Sequence, residues 1–566
     1  MAYDSGGCKI NKAALVGLLS LFFVALVNGV SGVGEDHGSS NAATIKTLCE
    51  PTTYRETCEK VLVKSNVDSK DPRELVKAGF HFAIEQLKAQ LMLATSSSTL
   101  KQAATDPMAQ KAVDACDELM DYAIDDLLTS FNKITDSFSF HKMNDYLENL
   151  RIWLSAALTY QETCLDGFEN VPGDTGEKMK NLLKTSKEMT ANGLVMVGEV
   201  TSLVSTLWQK LGLPPQTGRQ LRTEHSNEEK EEPSWVSDRR GLLEATGANI
   251  KANVVVAKDG SGKYKTITEA LKEVPLKSNT TFVIYVKEGV YEEQVMVDKK
   301  MTYVMVIGDG PTKTKITASK NVVDGTPTFK SATFAAIGSN FIGKDLWFDN
   351  SAGLHKGQAV ALRVQSDMSI FYNCRMDGYQ DTLYPHANRQ FYRDCTISGT
   401  VDFIFGNAAA VLQNCKILVR KPKPNQACFV TAQGRMESDE PTGIVLQNCT
   451  ISSDPEFYPI RHTSKSYLGR PWKKYSRTVI MQCQIDDLIH PDGWMRWSDD
   501  STLNTLYYTE FDNRGPGAAK ENRVKWKGIK QITATQAINF TPSLFIHGDS
   551  WIKSSGIPYT GGMMKI

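Results

Sequence analysis

Between residues 48 and 211, apolar positions recur in steps of three and four. Val76, Phe80, Ala83, Ile84, Leu87 and Leu91 form one series; Val113, Cys116, Met120, Ile124 and Leu127 form a second. Leu147, Leu150, Leu154, Leu158 and Leu165 make a third, and Leu182, Met189, Val197, Leu203 and Leu207 a fourth. Each series lays one apolar stripe along a helix, so four stripes with short connections predict an all-α four-helix bundle. Its apolar residues are assigned to core packing, and nothing in this half resembles a reaction centre. Cys116 and Cys164 fall on the second and third predicted helices, where one bridge would tie them together.

The pattern breaks at Pro214-Pro215, and the charged run Glu228–Pro233 cannot bury itself. From Asn253 onward, short β-branched and aromatic runs alternate with Gly, Asn and Asp. Within them one unit repeats: an apolar pair, one or two polar residues, then Cys, at Cys374, Cys395, Cys415, Cys449 and Cys483. A strand recurring every 20 or so residues with variable insertions predicts an all-β right-handed parallel β-helix, whose coils bury a core only by stacking. The predicted organisation is a leader at 1–34, a helical domain at 35–211, a linker at 212–243 and the β-helix at 244–566.

The leader carries Lys9 and Lys12 before an apolar run, Ala13–Val27, then small residues. That order fits a secretory signal; extended through Val33, the run would also serve as a single-pass anchor. Secretion agrees with three acceptor sequons, at Asn279, Asn448 and Asn539. Arg239-Arg240 in the linker is a plausible dibasic processing site. The chain has 64 Lys+Arg and 64 Asp+Glu in 566 residues, so its net charge is zero. The balance is uneven, however: residues 1–240 hold 25 basic and 33 acidic side chains. An acidic helical half thus precedes a basic β-helix, which is suited to attract a polyanion or the acidic half itself. No Cys-x-x-Cys or His-Glu-x-x-His occurs, so a metal site is not expected.

A coil of 20–22 residues stacks particular polar groups. Gln358 lies under Gln380, Asp381 under Asp402, and Cys395 under Cys415, where strand spacing suits the Cα separation of a disulfide. Two carboxylates on adjacent coils cannot both ionise freely, so one pKa should rise while the other stays low. That division suits nucleophilic and acid/base chemistry. Two aspartates that merely cap turns would satisfy the same spacing, and two glutamines could form an internal amide ladder.

Four further stretches bear on the choice: Gly357–Leu362, Gly378-Tyr379-Gln380-Asp381-Thr382-Leu383-Tyr384, Gly399-Thr400-Val401-Asp402-Phe403-Ile404-Phe405-Gly406 and Tyr467-Leu468-Gly469-Arg470-Pro471-Trp472. With Gly289–Glu293 they give the chain a close resemblance to plant-type pectin methylesterases, and the helical half resembles that family's inhibitor-like pro-region. The resemblance implies hydrolysis of methyl esters of homogalacturonan, releasing methanol, with no cofactor. It implies Asp402 as nucleophile, Asp381 as acid and then base, and Gln380 as oxyanion donor. Gln358, Arg470, Trp472 and Thr328 would hold substrate, Arg470 also keeping Asp402 ionised. It further implies disulfides Cys49–Cys58 and Cys116–Cys164. The partners it implies are pectin, a proteinaceous pectinesterase inhibitor and a processing protease. Nucleic acid is not among them, and a membrane enters only if the anchor is retained. The setting would be secreted, at the cell wall, with the pro-region autoinhibitory. One departure is Gly241, which separates Arg239-Arg240 from Leu242-Leu243 where the family has the basic and leucine pairs adjoining. A serine esterase is disfavoured by the lack of a Gly-x-Ser-x-Gly elbow. A depolymerising hydrolase is disfavoured by the lack of Asn-Thr-Asp and Gly-His-Gly signatures.

Overall fold

A computed structural model describes residues 40–65, 78–79, 81–86, 88–89, 106–135, 143–169, 171–210, 251–498 and 500–565. The leader at 1–34 and the linker at 212–243, with Arg239 and Arg240, lie outside the described residues. No helix among those described is long and apolar enough to cross a membrane.

The helical half contains α1 (Ser40–Cys49), α2 (Arg55–Lys64), α3 (Pro107–Thr135), α4 (Met143–Asp166) and α5 (Thr175–Lys210). Ala83 and Ile84, in a helical stretch at 81–86, are buried with Val113, Leu127, Leu150, Leu158 and Met189, so the described members of the four apolar stripes share one core; Val76, Phe80, Leu87 and Leu91 lie outside the described residues. Cys49 of α1 is bridged to Cys58 of α2, and Cys116 of α3 to Cys164 of α4. The second bridge spans 48 residues. A loop of that length restricts the unfolded chain by about 4 kcal/mol in the entropic account. Replacing both Cys116 and Cys164 with serine is expected to lower the urea stability of the helical half by about that amount, read from its helical circular dichroism.

The second half winds into three parallel sheets, of ten, eight and seven strands among the described residues. Every strand pairs in parallel with its counterpart on the next coil, as a right-handed β-helix requires. Leu362 pairs with Leu383 and Leu383 with Ile404, giving the 21-residue coil inferred from the sequence. Ile404 then pairs with Thr431, so the later coils absorb insertions. The repeated unit has a local cause. Asn373, Asp394, Asn414, Asn448 and Gln482, each just before a repeat cysteine, have φ of 50°, 53°, 58°, 52° and 57°. Asn and Asp tolerate this left-handed corner best among non-glycine residues, and it turns the chain from the ten-stranded sheet into the eight-stranded one. The next side chain, the cysteine, then points inward and is buried.

The expected Cys395–Cys415 disulfide is not formed; both are free, as are Cys374, Cys428, Cys449 and Cys483. The Cα spacing of stacked coils suits a disulfide, but in-register parallel strands send successive Cβ atoms in the same direction. The spacing of about 4.8 Å therefore does not narrow to the roughly 3.8 Å between Cβ atoms that a bridge needs. The thiols make weak hydrogen bonds instead: Cys395 Sγ donates to the Phe371 carbonyl (3.3 Å), and Cys449 Sγ accepts from the Cys415 amide (3.4 Å). An amide ladder also exists, but away from Gln358 and Gln380: Gln413 Nε2 donates to Gln447 Oε1 at 2.9 Å. Of the sequon residues, Asn279 and Asn539 are exposed. Asn448 donates to Asn414 Oδ1 and accepts from Arg514, so both ends of its amide are engaged.

The two halves are packed together. Phe329, Val360, Tyr384, Phe405 and Ala432 of the β-helix share one buried apolar cluster with residues of α3, α4 and α5. Acidic groups of the helices meet lysines of the β-helix, as the charge asymmetry suggested. Asp126 and Asp125 lie 2.6 and 3.3 Å from Lys299; Asp166 and Glu162 lie 2.5 and 3.0 Å from Lys473; Glu118 pairs with Lys330.

Candidate active site

The seven-stranded sheet runs through the strands Leu362–Val364, Leu383–Pro385, Ile404–Gly406, Cys428–Gln433 and Ser466–Gly469. The sequence-predicted carboxylates stand just before two of these strands. Since Leu383 pairs with Ile404, Asp381 and Asp402 occupy equivalent places on adjacent coils, and the Asp381 amide donates to the Val401 carbonyl at 3.0 Å. Gln358 and Gln380 form a parallel bridge one step earlier. Asp381 and Asp402 adopt φ of 66° and 50°, a left-handed conformation that is costly for a non-glycine residue and recurs at functional sites. The strands of the seven-stranded sheet begin just after this bend.

Arg470 follows the last of these strands directly. Its Nε donates to Asp402 Oδ1 at 2.8 Å and an Nη to Oδ2 at 2.5 Å, a bidentate pair. The guanidinium lies between the rings of Phe429 (4.3 Å) and Trp497 (4.1 Å), which fix its plane. Both carboxylates are nearly inaccessible, Asp381 at 7% and Asp402 at 4%. Burial pushes the Asp381 pKa well up, and the charge of Asp402 adds to it. Burial raises Asp402 too, while Arg470 opposes the rise through its hydrogen bonds and its charge. The expectation that one group would stay low is thus corrected to an ordering: both rise, Asp381 further. In that order Asp402 is the group that ionises first.

Gln358 and Gln380 are half-buried, and no protein partner of either side-chain amide is among the described hydrogen bonds, so both remain available to a ligand. Thr328 sits on the turn Thr328–Lys330. That loop is anchored to the coil of Gln358: the Val322 amide donates to the Gln358 carbonyl (3.1 Å), and Ser331 Oγ accepts from the Val360 amide (3.1 Å). Trp472 lies edge-on to Phe405, centroids 6.0 Å apart, and closes over Gly434. A Cβ at Gly434 would come within 2.8 Å of the indole, so glycine is needed there for the ring to lie flat. Gln358, Gln380, Asp381, Asp402 and Arg470 therefore converge, with Trp472 and Thr328 on the flank that faces the helical half.

Sequence reasoning missed three residues. His386, just after the strand Leu383–Pro385, is fully buried. Its Nε2 lies 2.7 Å from Thr163 Oγ1 of α4, and its ring packs near Tyr160, Phe329 and Tyr384. Burial and the nearby Arg363 hold its pKa well below the usual histidine range. Tyr384 stacks on Phe405 at 4.1 Å and joins the same interface. Lys473, next to the quoted Trp472, carries the ion pairs to α4. Position beside a motif was the signal available for Lys473. The burial of His386 comes from the other half of the chain, which local sequence does not reveal.

Residues 253–549 match the family model described as Pectinesterase. The chain belongs to the pectinesterase family. Residues 43–196 match the model described as Plant invertase/pectin methylesterase inhibitor, so the pectinesterase half is preceded by an inhibitor-like half. A relative named probable pectinesterase/pectinesterase inhibitor 21, from Arabidopsis thaliana, is 48% identical over 99% of this chain and 84% of its own. The pectinesterase/pectinesterase inhibitor U1 of Solanum lycopersicum is 40% identical over 98% of each. Among solved structures, the pectin methylesterase from carrot is 52% identical with a TM-score of 0.55; the match covers 56% of this chain and all of the carrot chain. That share is the size of the β-helix half, so the solved carrot chain has no counterpart to the helical half.

Proposed function

We propose that the chain removes methyl esters from homogalacturonan by an aspartyl mechanism, and that its helical half holds the enzyme closed until released. The observation that carries this reading is the buried carboxylate pair, one member clamped bidentately by Arg470, beside two glutamine amides without protein partners. Ionised Asp402 attacks the ester carbonyl carbon. The carbonyl oxygen becomes an oxyanion that accepts from the Gln380 amide, and Gln358 steadies the same centre. Protonated Asp381 gives its proton to the departing methoxy oxygen, so methanol leaves and an acyl–Asp402 anhydride remains. Asp381, now ionised, takes a proton from water, whose oxygen attacks the acyl carbon. The galacturonic acid carboxyl departs and gives its remaining proton to solvent, Asp402 is regenerated as the carboxylate and Asp381 is again protonated. Trp472 supplies a flat face for a sugar ring, and Thr328 borders the groove.

The pH dependence follows from the ordering of the two groups. Turnover requires Asp402 ionised and Asp381 protonated, so the rate falls on the acid side as Asp402 takes a proton and on the alkaline side as Asp381 loses one. The two limbs belong to the coupled pair. Arg470 lowers the pKa of Asp402, so Arg470→Gln is expected to move the acid limb upward by on the order of one to three pH units and narrow the profile. The pH profile of kcat/KM checks this, and an unmoved acid limb would remove Arg470 from that role.

The setting that fits is secretion to the cell wall, with cleavage of the leader, glycans at exposed Asn279 and Asn539, and a protease acting near Arg239-Arg240. A separate inhibitor protein of the helical type would dock on the face that the helical half covers. The deciding assay is methanol release from methylated pectin by residues 244–566 across pH. Absence of methanol would overturn the reading.

A further inference from the structure

Lys473 is held in an unusual way. Its ammonium lies 3.0 Å from Glu162 Oε1 and 2.5 Å from Asp166 Oδ1, and both of its ion-pair partners among the described residues come from α4. The β-helix supplies none. Its side chain is mostly covered, and the ammonium lies 5.2 Å from the centre of the Trp472 ring. Trp472 meets Phe405, Phe405 stacks on Tyr384, and Tyr384 lies in the fields of both Asp166 and Asp381. A short aromatic chain therefore links Lys473 to the reacting carboxylates.

Once the helical half leaves, a cation remains beside a sugar-stacking tryptophan with no counterion of its own. A partly desolvated charge gains free energy by acquiring a partner. The reaction makes such partners, because each ester removed leaves a carboxylate on the same polymer strand. We propose that Lys473 recognises an unesterified galacturonate carboxylate near the ester under attack, and that Glu162 and Asp166 occupy this subsite in the docked chain. The proposal rests on the pectinesterase reading. It makes the helical half a mimic of the product as well as a cover, and it makes Lys473 a specificity residue that favours removal of esters beside those already removed.

The experiment uses residues 244–566, which correspond in extent to the solved carrot chain, a structure with no counterpart to the helical half. KM is measured on fully esterified and on partly de-esterified pectin for the unsubstituted protein, Lys473→Gln and Lys473→Arg. The unsubstituted protein is expected to show about a tenfold lower KM on the partly de-esterified polymer, a ratio that shrinks at high salt. Lys473→Gln is expected to bring the ratio close to one through KM, with the kcat ratio between polymers unmoved, and Lys473→Arg to keep the preference. A preference that persists in Lys473→Gln, or one absent from the unsubstituted protein while methanol is still released, would overturn the subsite. Methanol from neither polymer would overturn the esterase reading and this proposal with it.

Discussion

Replacing Asp402 with alanine is expected to remove turnover, by a factor on the order of 10⁴–10⁶, the scale seen when a covalent nucleophile is lost. Asp381 cannot take over. In the proposed mechanism it carries the proton that the leaving methoxy group needs, and burial alone still pushes its pKa up. Any residual rate would come from the glutamine amides and substrate positioning. Alanine has a side effect, because it leaves Arg470 without the carboxylate that pairs with it. Losing one partner of a buried pair costs about 3–5 kcal/mol. Asp402→Asn is the cleaner variant: it keeps the shape and an acceptor oxygen for Arg470 but has no anionic nucleophile. Thermal unfolding with methanol assays separates the effects. A folded Asp402→Asn protein with more than a few per cent of normal kcat would overturn the nucleophile assignment.

The coil and the carboxylate pair were legible because stacking is periodic. The 20-residue spacing of Cys395 and Cys415 set the coil length, and the coil length put Asp402 on Asp381 and Gln380 on Gln358. The same periodicity misled at Cys395 and Cys415, since it fixes Cα spacing but not the direction of Cβ. It was also blind to the packing of the halves. Tyr384, Phe405 and Ala432 lie on strands buried on both faces, and local sequence does not say what covers the outer one. The charge asymmetry named the partner in outline, acidic on basic, while the pairing of Lys473 with Glu162 and Asp166 needed coordinates. Nor could the raised pKa of Asp402 be read from sequence, because burial of a carboxylate that already has an arginine is a property of the whole groove.

Removing the helical half is expected to raise methanol release by about a hundredfold or more. The covering surface combines the shared apolar cluster around Phe329, Tyr384 and Phe405 with the lysine pairs at Lys299, Lys330 and Lys473. The linker holds the two halves at an effective concentration on the order of millimolar. A contact with a Kd of about 10 μM between separated halves would then leave the tethered enzyme open about one per cent of the time, which sets the expected gain. Salt would loosen the lysine pairs but not the apolar cluster, so high salt should recover only part of the gain in the intact chain. The added helical half should inhibit residues 244–566 in trans, with an affinity that falls when Glu162 and Asp166 are replaced by glutamine and asparagine. If 244–566 is no faster than the full chain, the contact serves assembly or export rather than inhibition, even if the aspartyl chemistry stands.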